Sequence, residues 1–322
     1  MTLISANFEN MKVSTRTFTA TTNLIMDIEK ISKFLPVYSI DDDVRFKNPK
    51  KYCGIIPDGE IASINYLGEI RGINLKPRKK TKRWFRNSFT VVISTGEKML
   101  NFKVCRNGTF QITGALSFEH AIKCIKCIWD RIRGTSYYTI DSDENKLVAL
   151  IIPAMRNLDF TLGIKINREM FDKYILETRP EYHCLLETSF GYTGLNVKKK
   201  ITKPITDLKI LKINVPVTLT THIKEMSEAE NHIVYCKQHA LETDDDWKGE
   251  IVSYQKYLDI LEPQVREAKV KHTRYNTFLV FHSGKIIQSG LSAEFMKDDF
   301  YEFCDIINAA YKDGRLQERL DE

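Results

Sequence analysis

The sequence predicts an α+β protein in which one unit, a hairpin followed by a helix, is used twice, with antiparallel strands in one layer and helices in the other. Three observations carry this expectation. Residues 101–133, NFKVCRNGTFQITGALSFEHAIKCIKCIWDRIR, read as strand, tight turn, strand and helix, because Asn107-Gly108 is a two-residue hairpin signal between β-compatible runs. Residues 277–311, TFLVFHSGKIIQSGLSAEFMKDDFYEFCDIINAAY, restate that order with Ser283-Gly284 at the turn. Gly108 to Gly284 and Gly114 to Gly290 are both displaced by 176 positions, and a fixed displacement is the mark of an internal repeat.

The helices follow from spacing. Ile122, Ile125, Trp129 and Ile132 recur three or four residues apart, as do Met296, Phe300, Phe303, Ile307 and Ala310, which gives each helix one apolar stripe to lay on its hairpin. Ser117 and Ser292 stand where N-caps are expected. Upstream, Val13, Thr15, Thr17, Thr19 and Thr21 alternate as in a strand. Asn23 is then placed to cap a helix with Leu24, Ile28, Ile31 and Leu35 on one side, which Pro36 ends. The second copy opens in the same way, with residues 150–166 strand-like and Asn167 before NREMFDKYIL. Asn23 to Asn167 is a displacement of 144, so the second copy is expected to carry 32 additional residues before its hairpin.

The repeats are expected at 10–135, with an insertion at about 37–82, and at 147–315, with an insertion at about 200–274. The first insertion opens on Asp41 to Asp43, holds a hairpin candidate at 60–73 and ends in the basic run Lys76, Arg78, Lys79, Lys80, Lys82, Arg83 and Arg86, interleaved with Trp84 and Phe85. Such a run releases counterions from a phosphate backbone. Its plain alternative is a solvated loop or a localisation signal. Residues 88–94 read as a strand, and residues 192–199 as its counterpart. The second insertion offers a strand candidate at 208–219, an acidic patch at 242–246 and a helical candidate at 254–270 interrupted by Pro263. It reads as a partner-binding element or as a surface elaboration.

Composition bounds the function classes. The 322 residues are 43% hydrophobic and 28% charged with a formal net charge of +6, which suits a soluble folded chain and permits an anionic partner without requiring one. Seven cysteines at 53, 105, 124, 127, 184, 236 and 304 form no secreted framework, so the expected setting is intracellular. No apolar run approaches the roughly 20 residues that cross a bilayer.

The repeated unit resembles the TATA-binding protein family. FHSGKIIQSG at 281–290 is similar to that family's strand–turn–strand signature, and CRNGTFQITGA at 105–115 is its divergent partner. The long insertions and the Gln-x-Thr-Gly run look most like the TATA-binding-like proteins of large DNA viruses. The resemblance implies a pseudosymmetric saddle, a curved antiparallel sheet with helices on the convex side. It also implies binding in the minor groove, where apolar side chains wedge between base steps.

Alternation puts Thr109, Gln111 and Thr113 on one face with Ile287 and Ser289 at matching positions, and leaves Phe110 and Ile112 toward the helices. By resemblance Phe281 matches a wedge aromatic, Phe89 is the candidate in the first half, and Tyr192 stands where the family has another aromatic. Lys103 lies on the same strand as Cys105, which takes the place of Phe281 in the first half and is too small to unstack a base step. Asn157 matches a groove-facing asparagine, whereas Asp159 stands where valine is expected and would repel phosphates. Thr15 and Thr17 are the opening-strand candidates, or Val13 and Thr15 in an alternative alignment. An even shift leaves the same face exposed.

Other constellations are weaker. Cys124-x-x-Cys127 sits mid-helix among isoleucines without a second pair, and His232, Cys236 and His239 offer helical spacing but no fourth ligand. No metal or other cofactor is expected. No phosphate-cradling loop, nucleophile setting or paired catalytic carboxylates stand out, so the chain is not read as an enzyme. The expected function is a transcription initiation factor binding double-stranded DNA, with a transcription factor IIB-like protein and RNA polymerase machinery as partners and no membrane. It would act in the host nucleus or at a cytoplasmic site of viral replication. A protein-interaction scaffold on the same fold is the alternative, motivated by Cys105 and Asp159.

Overall fold

A computed structural model describes residues 3–39, 49–73, 85–141, 146–186, 194–217, 219–224, 234–239 and 247–317; of 49–51, 219–224 and 234–239 it gives the backbone course only. The strands in chain order are β1 (Val13–Thr22), β2 (Leu24–Met26), β3 (Ile61–Tyr66), β4 (Glu69–Gly72), β5 (Ser88–Ser94), β6 (Met99–Cys105), β7 (Thr109–Ala115), β8 (Tyr138–Ile140) and β9 (Lys146–Thr161). They continue with β10 (Tyr182–Leu186), β11 (Gly194–Lys200), β12 (Lys209–Pro216), β13 (Leu219–Lys224), β14 (Val234–His239), β15 (Glu250–Ser253), β16 (Tyr275–Phe281) and β17 (Lys285–Gly290). The helices are α1 (Ile28–Phe34), α2 (Phe118–Ile132), α3 (Arg168–Thr178), α4 (Gln255–Asp259), α5 (Pro263–Lys271) and α6 (Ala293–Lys312). Antiparallel sheet with helices packed on it makes the class α+β, as the sequence predicts.

The chain forms two compact units. The C-terminal unit holds Met1–Thr17, Pro153–Lys209 and Ser253–Glu322; the N-terminal unit holds Phe18–Ile152 and Ile210–Val252. In the C-terminal unit the strands run β10-β11-β16-β17-β9. Leu195, Val197, Phe278, Val280 and Ile286 point to one side, where they bury against Phe171 and Ile175 of α3 and Phe303 and Ile307 of α6. The rings of Phe278 and Phe303 stack with centroids 3.9 Å apart. Alternation alone dictates this, since residues two apart share a face. Asn276 and Gln288 are the polar exceptions in this layer: their side-chain amides donate to the backbone oxygens of Phe295 and Met296 and fasten the first turn of α6.

In the N-terminal unit the order is β1-β7-β6-β5-β3-β4, with β12 on β9 and β15 on β12. Phe102, Phe110 and Ile112 bury against Ile125, Ile128 and Trp129 of α2, together with Ile28 and Ile31 of α1. The hairpin expected at 60–73 is β3 and β4, and the helical candidate interrupted by Pro263 is α4 and α5, with the proline at the start of the second helix.

One junction recurs in both units. The amide of Thr22 donates to the carbonyl of Gly108 and that of Met26 to Arg106; in the other unit Leu162 donates to Gly284 and Ile166 to His282. A Cβ added at Gly108 would lie 2.4 Å from the carbonyl of Leu24, and one at Gly284 would lie 2.2 Å from that of Ile164. Both glycines also have positive φ, 72° and 80°, so the turn and the strand-to-helix passage lock together only with glycine there.

These bonds relate the opening segments by 140 positions, which corrects the displacement of 144. Asp27, not Asn23, caps the first helix, accepting from the amide of Lys30 as Asn167 accepts from that of Met170. Leu24 belongs to β2, paired with β8, and Asn23 binds the backbone of Val148 and Lys146. The second copy therefore carries 36 additional residues before its hairpin. Ser117 and Ser292 occupy N-cap positions with extended backbone, but their hydroxyls make no capping bond.

Candidate nucleic-acid interface

Each unit's sheet has a second face, away from its helices. In the C-terminal unit it is built by Asn196 and Lys198 of β11, Thr277, Leu279 and Phe281 of β16, Ile287 and Ser289 of β17, and Asn157 and Asp159 of β9, all half-buried. Leu279 stands across from Ile287 and Asn196 on either side, Thr277 across from Ser289, and Ser289 across from Asn157. Phe281 stands opposite Gly194, which has no side chain to cover the ring. The surface is small, polar at one margin and apolar near Phe281, a composition that fits the close approach of a groove.

Asp159 is not an isolated carboxylate. It accepts from the hydroxyl of Ser14 at 2.8 Å and pairs with the ammonium of Lys285 at 3.1 Å. Its repulsion toward a phosphate is thus offset locally, at the cost of occupying a lysine that would otherwise attract one.

In the N-terminal unit the corresponding face carries Thr90 of β5, Asn101, Lys103 and Cys105 of β6, and Thr109, Gln111 and Thr113 of β7, with Gln111 and Thr113 exposed. Phe110 and Ile112 are fully buried toward the helices, as alternation predicts. The hydroxyl of Thr113 donates to the carbonyl of Asn101 at 2.9 Å, and Lys103 stands across from Gln111. The ammonium of Lys103 lies 4.6 Å from the centroid of the Phe85 ring, which is 74% exposed. Burial pushes the thiol of Cys105 above its ordinary pKa, against the opposing charge of Lys103.

Phe89 is a correction. It is 1% exposed and sits in the core with Val91 and Ile93, because it shares the parity of the helix-facing positions of β5. It is a packing residue and does not reach this face. The opening strand also departs from a single parity: Val13 packs in the apolar cluster of the C-terminal unit, whereas Phe18 and Ala20 pack in that of the N-terminal unit. Thr17 lies opposite Phe18, but Thr15 falls within the shift and alternation assigns it no face. Tyr192 and the basic residues Lys76, Arg78, Lys79, Lys80, Lys82 and Arg83 lie outside the described residues; Arg86, the last of that run, is exposed.

The metal-like spacings resolve differently. Cys124 and Cys127 lie on the buried side of α2, and burial raises both thiols, that of Cys127 to about 11. Cys236 and His239 lie on β14, a strand and not a helix, so the expected helical spacing does not hold, and His232 lies outside the described residues. Among the described residues no group of three or more His, Cys, Asp or Glu is placed to hold a metal ion, and no helix is long and apolar enough to cross a membrane.

Sequence reasoning missed Leu279, Asn196, Lys198 and Lys285, which alternation places on the face once β11 and β16 are paired. It also missed a cover. Tyr52 and Ile56 are buried with Ala62 and pack against Val92 and Met99, on the same side of the N-terminal unit's sheet as Thr90 and Lys103. The hydroxyl of Ser94 donates to the carbonyl of Ile56 at 2.9 Å. Nothing in the local pattern of residues 49–57 announces that contact.

No family model matches the chain. It is 30% identical over 233 residues, 71% of its length, to the "Uncharacterized protein 335L" of Invertebrate iridescent virus 6, and spans 62% of that relative's length. Among solved structures it is similar to Methanococcus jannaschii TBP, with a TM-score of 0.40 and 13% identity over 92% of this chain and 97% of that one.

Proposed function

We propose that this protein is a noncatalytic transcription initiation factor of the TATA-binding type, encoded by a virus, that binds duplex DNA in the minor groove. In this reading the two units are diverged copies of one ancestral unit, each with an open sheet face for DNA. The observation that carries it is the junction described above, in which the hairpin turn and the strand-to-helix passage are joined by the same backbone bonds in both units. The open face supports it, since Phe281, Leu279 and Ile287 form an apolar group of the kind that enters a base step. The helices and the insertions would then meet a transcription factor IIB-like protein and polymerase machinery.

The test is a gel-shift series on a short A/T-rich duplex. Binding should weaken steeply as salt rises, because neutralised phosphates release counterions, and should favour deformable A/T sites over G/C-rich ones. No binding near physiological salt would refute the reading. The buried Phe89 and the carboxylate of Asp159 favour a second reading, a protein-interaction scaffold that has lost groove binding. That account expects Phe281→Ala to leave partner capture intact.

A further inference from the structure

The two open faces correspond by backbone register and differ in chemistry. Lys103 faces Gln111 across β6 and β7, where Leu279 faces Ile287 across β16 and β17. Both members of each pair are related by the displacement of 176, as are Cys105 and Phe281. The C-terminal unit therefore presents an aromatic and a branched apolar pair where the N-terminal unit presents a thiol, an ammonium and an amide. An apolar side chain inserted between base steps replaces the stacking that is lost, whereas an ammonium or amide driven into the same place forfeits its hydration.

The second difference is access. In the N-terminal unit Tyr52 and Ile56 cover the part of the face formed by Val92 and Met99. The register makes Lys198 and Tyr275 their counterparts in the C-terminal unit, since Val92 pairs with Asn101 and Lys198 with Thr277. Tyr275 is 39% exposed and Lys198 half-buried. The cover in the N-terminal unit lies over Val92 and Met99, while Gln111 and Thr113 of the same face stay exposed.

We infer that, on a bound duplex, base-step unstacking is confined to the C-terminal unit. There Phe281 enters the stack, backed by Leu279 and Ile287. The N-terminal unit holds the groove through Lys103, Gln111 and Thr113 without opening a step, and its contacts stop at the cover formed by Tyr52 and Ile56. This inference rests on the duplex reading above and adds to it which unit opens a base step.

The test uses the full chain and a set of A/T-rich duplexes carrying 2-aminopurine at successive steps, with an end label whose anisotropy reports binding. Emission of 2-aminopurine should rise several-fold at one step of the stretch that the protein protects from hydroxyl radicals. Phe281→Ala should abolish that rise, and Cys105→Phe, at a half-buried position on the open face, should add a second rise at another step. Wild-type protein and Phe281→Ala decide the question even where Cys105→Phe does not fold. Binding of the wild-type protein with two rises, or with none, overturns the inference and leaves the duplex reading in place. No anisotropy change overturns both.

Discussion

Phe89 and Phe281 are both strand aromatics near the end of an antiparallel pair, yet one is buried under a helix and the other stands on the open face. The difference is one of parity. Phe89→Ala should therefore cost about 3–5 kcal/mol of stability, the usual penalty for truncating a core aromatic, measured by urea denaturation. Phe281→Ala should cost less than about 1 kcal/mol, in the range of a substitution away from the core. Equal losses would place Phe281 in the core and remove it from the interface. Asp159 makes a second prediction at this scale. Asp159→Asn removes the carboxylate that holds Lys285 at 3.1 Å. The freed ammonium should tighten duplex binding and steepen its salt slope by about 0.9, the contribution of one phosphate contact. Unchanged affinity and slope would mean that the pair lies off the DNA path.

At the scale of elements, the hairpin turns carry the most information. Gly108 and Gly284 each combine positive φ with a carbonyl where a Cβ would sit. Alanine at either position should destabilise its unit by roughly 2–4 kcal/mol, from backbone strain plus displacement of the strand-to-helix passage. A loss at one position with none at the other would deny that the junctions are equivalent. These turns were legible because Asn-Gly and Ser-Gly between β-compatible runs have few other uses. The two helical stripes were legible for a similar reason, as Trp129, Phe300 and Phe303 recur at a period no strand allows. The start of α1 was not, because Asn23 and Asp27 are both competent caps and the choice is made by a remote strand. Pairing of β2 with β8 takes Leu24–Met26 into a sheet and delays the helix. β10 was missed because five residues, YHCLL, carry too little alternation to declare a strand; its partner β11 decides it.

At the scale of the whole molecule, the face proposed for DNA was legible in outline and not in its limits. Alternation named Gln111, Thr113, Ile287 and Ser289, and all four lie away from the helices. It could not foresee that Tyr52 and Ile56 cover part of the N-terminal unit's face, since that contact joins segments with no shared pattern. Nor did it foresee that Lys285 neutralises Asp159, because the two come together only through the register of β9 and β17.

The most direct test of the central claim is a structure of the chain bound to a short A/T-rich duplex, read for which side chains lie within contact distance of the minor groove. The account predicts Phe281, Ile287 and Ser289 of one unit and Lys103, Gln111 and Thr113 of the other. A duplex seated on the helices or on the insertions, with those six side chains free of it, would contradict it.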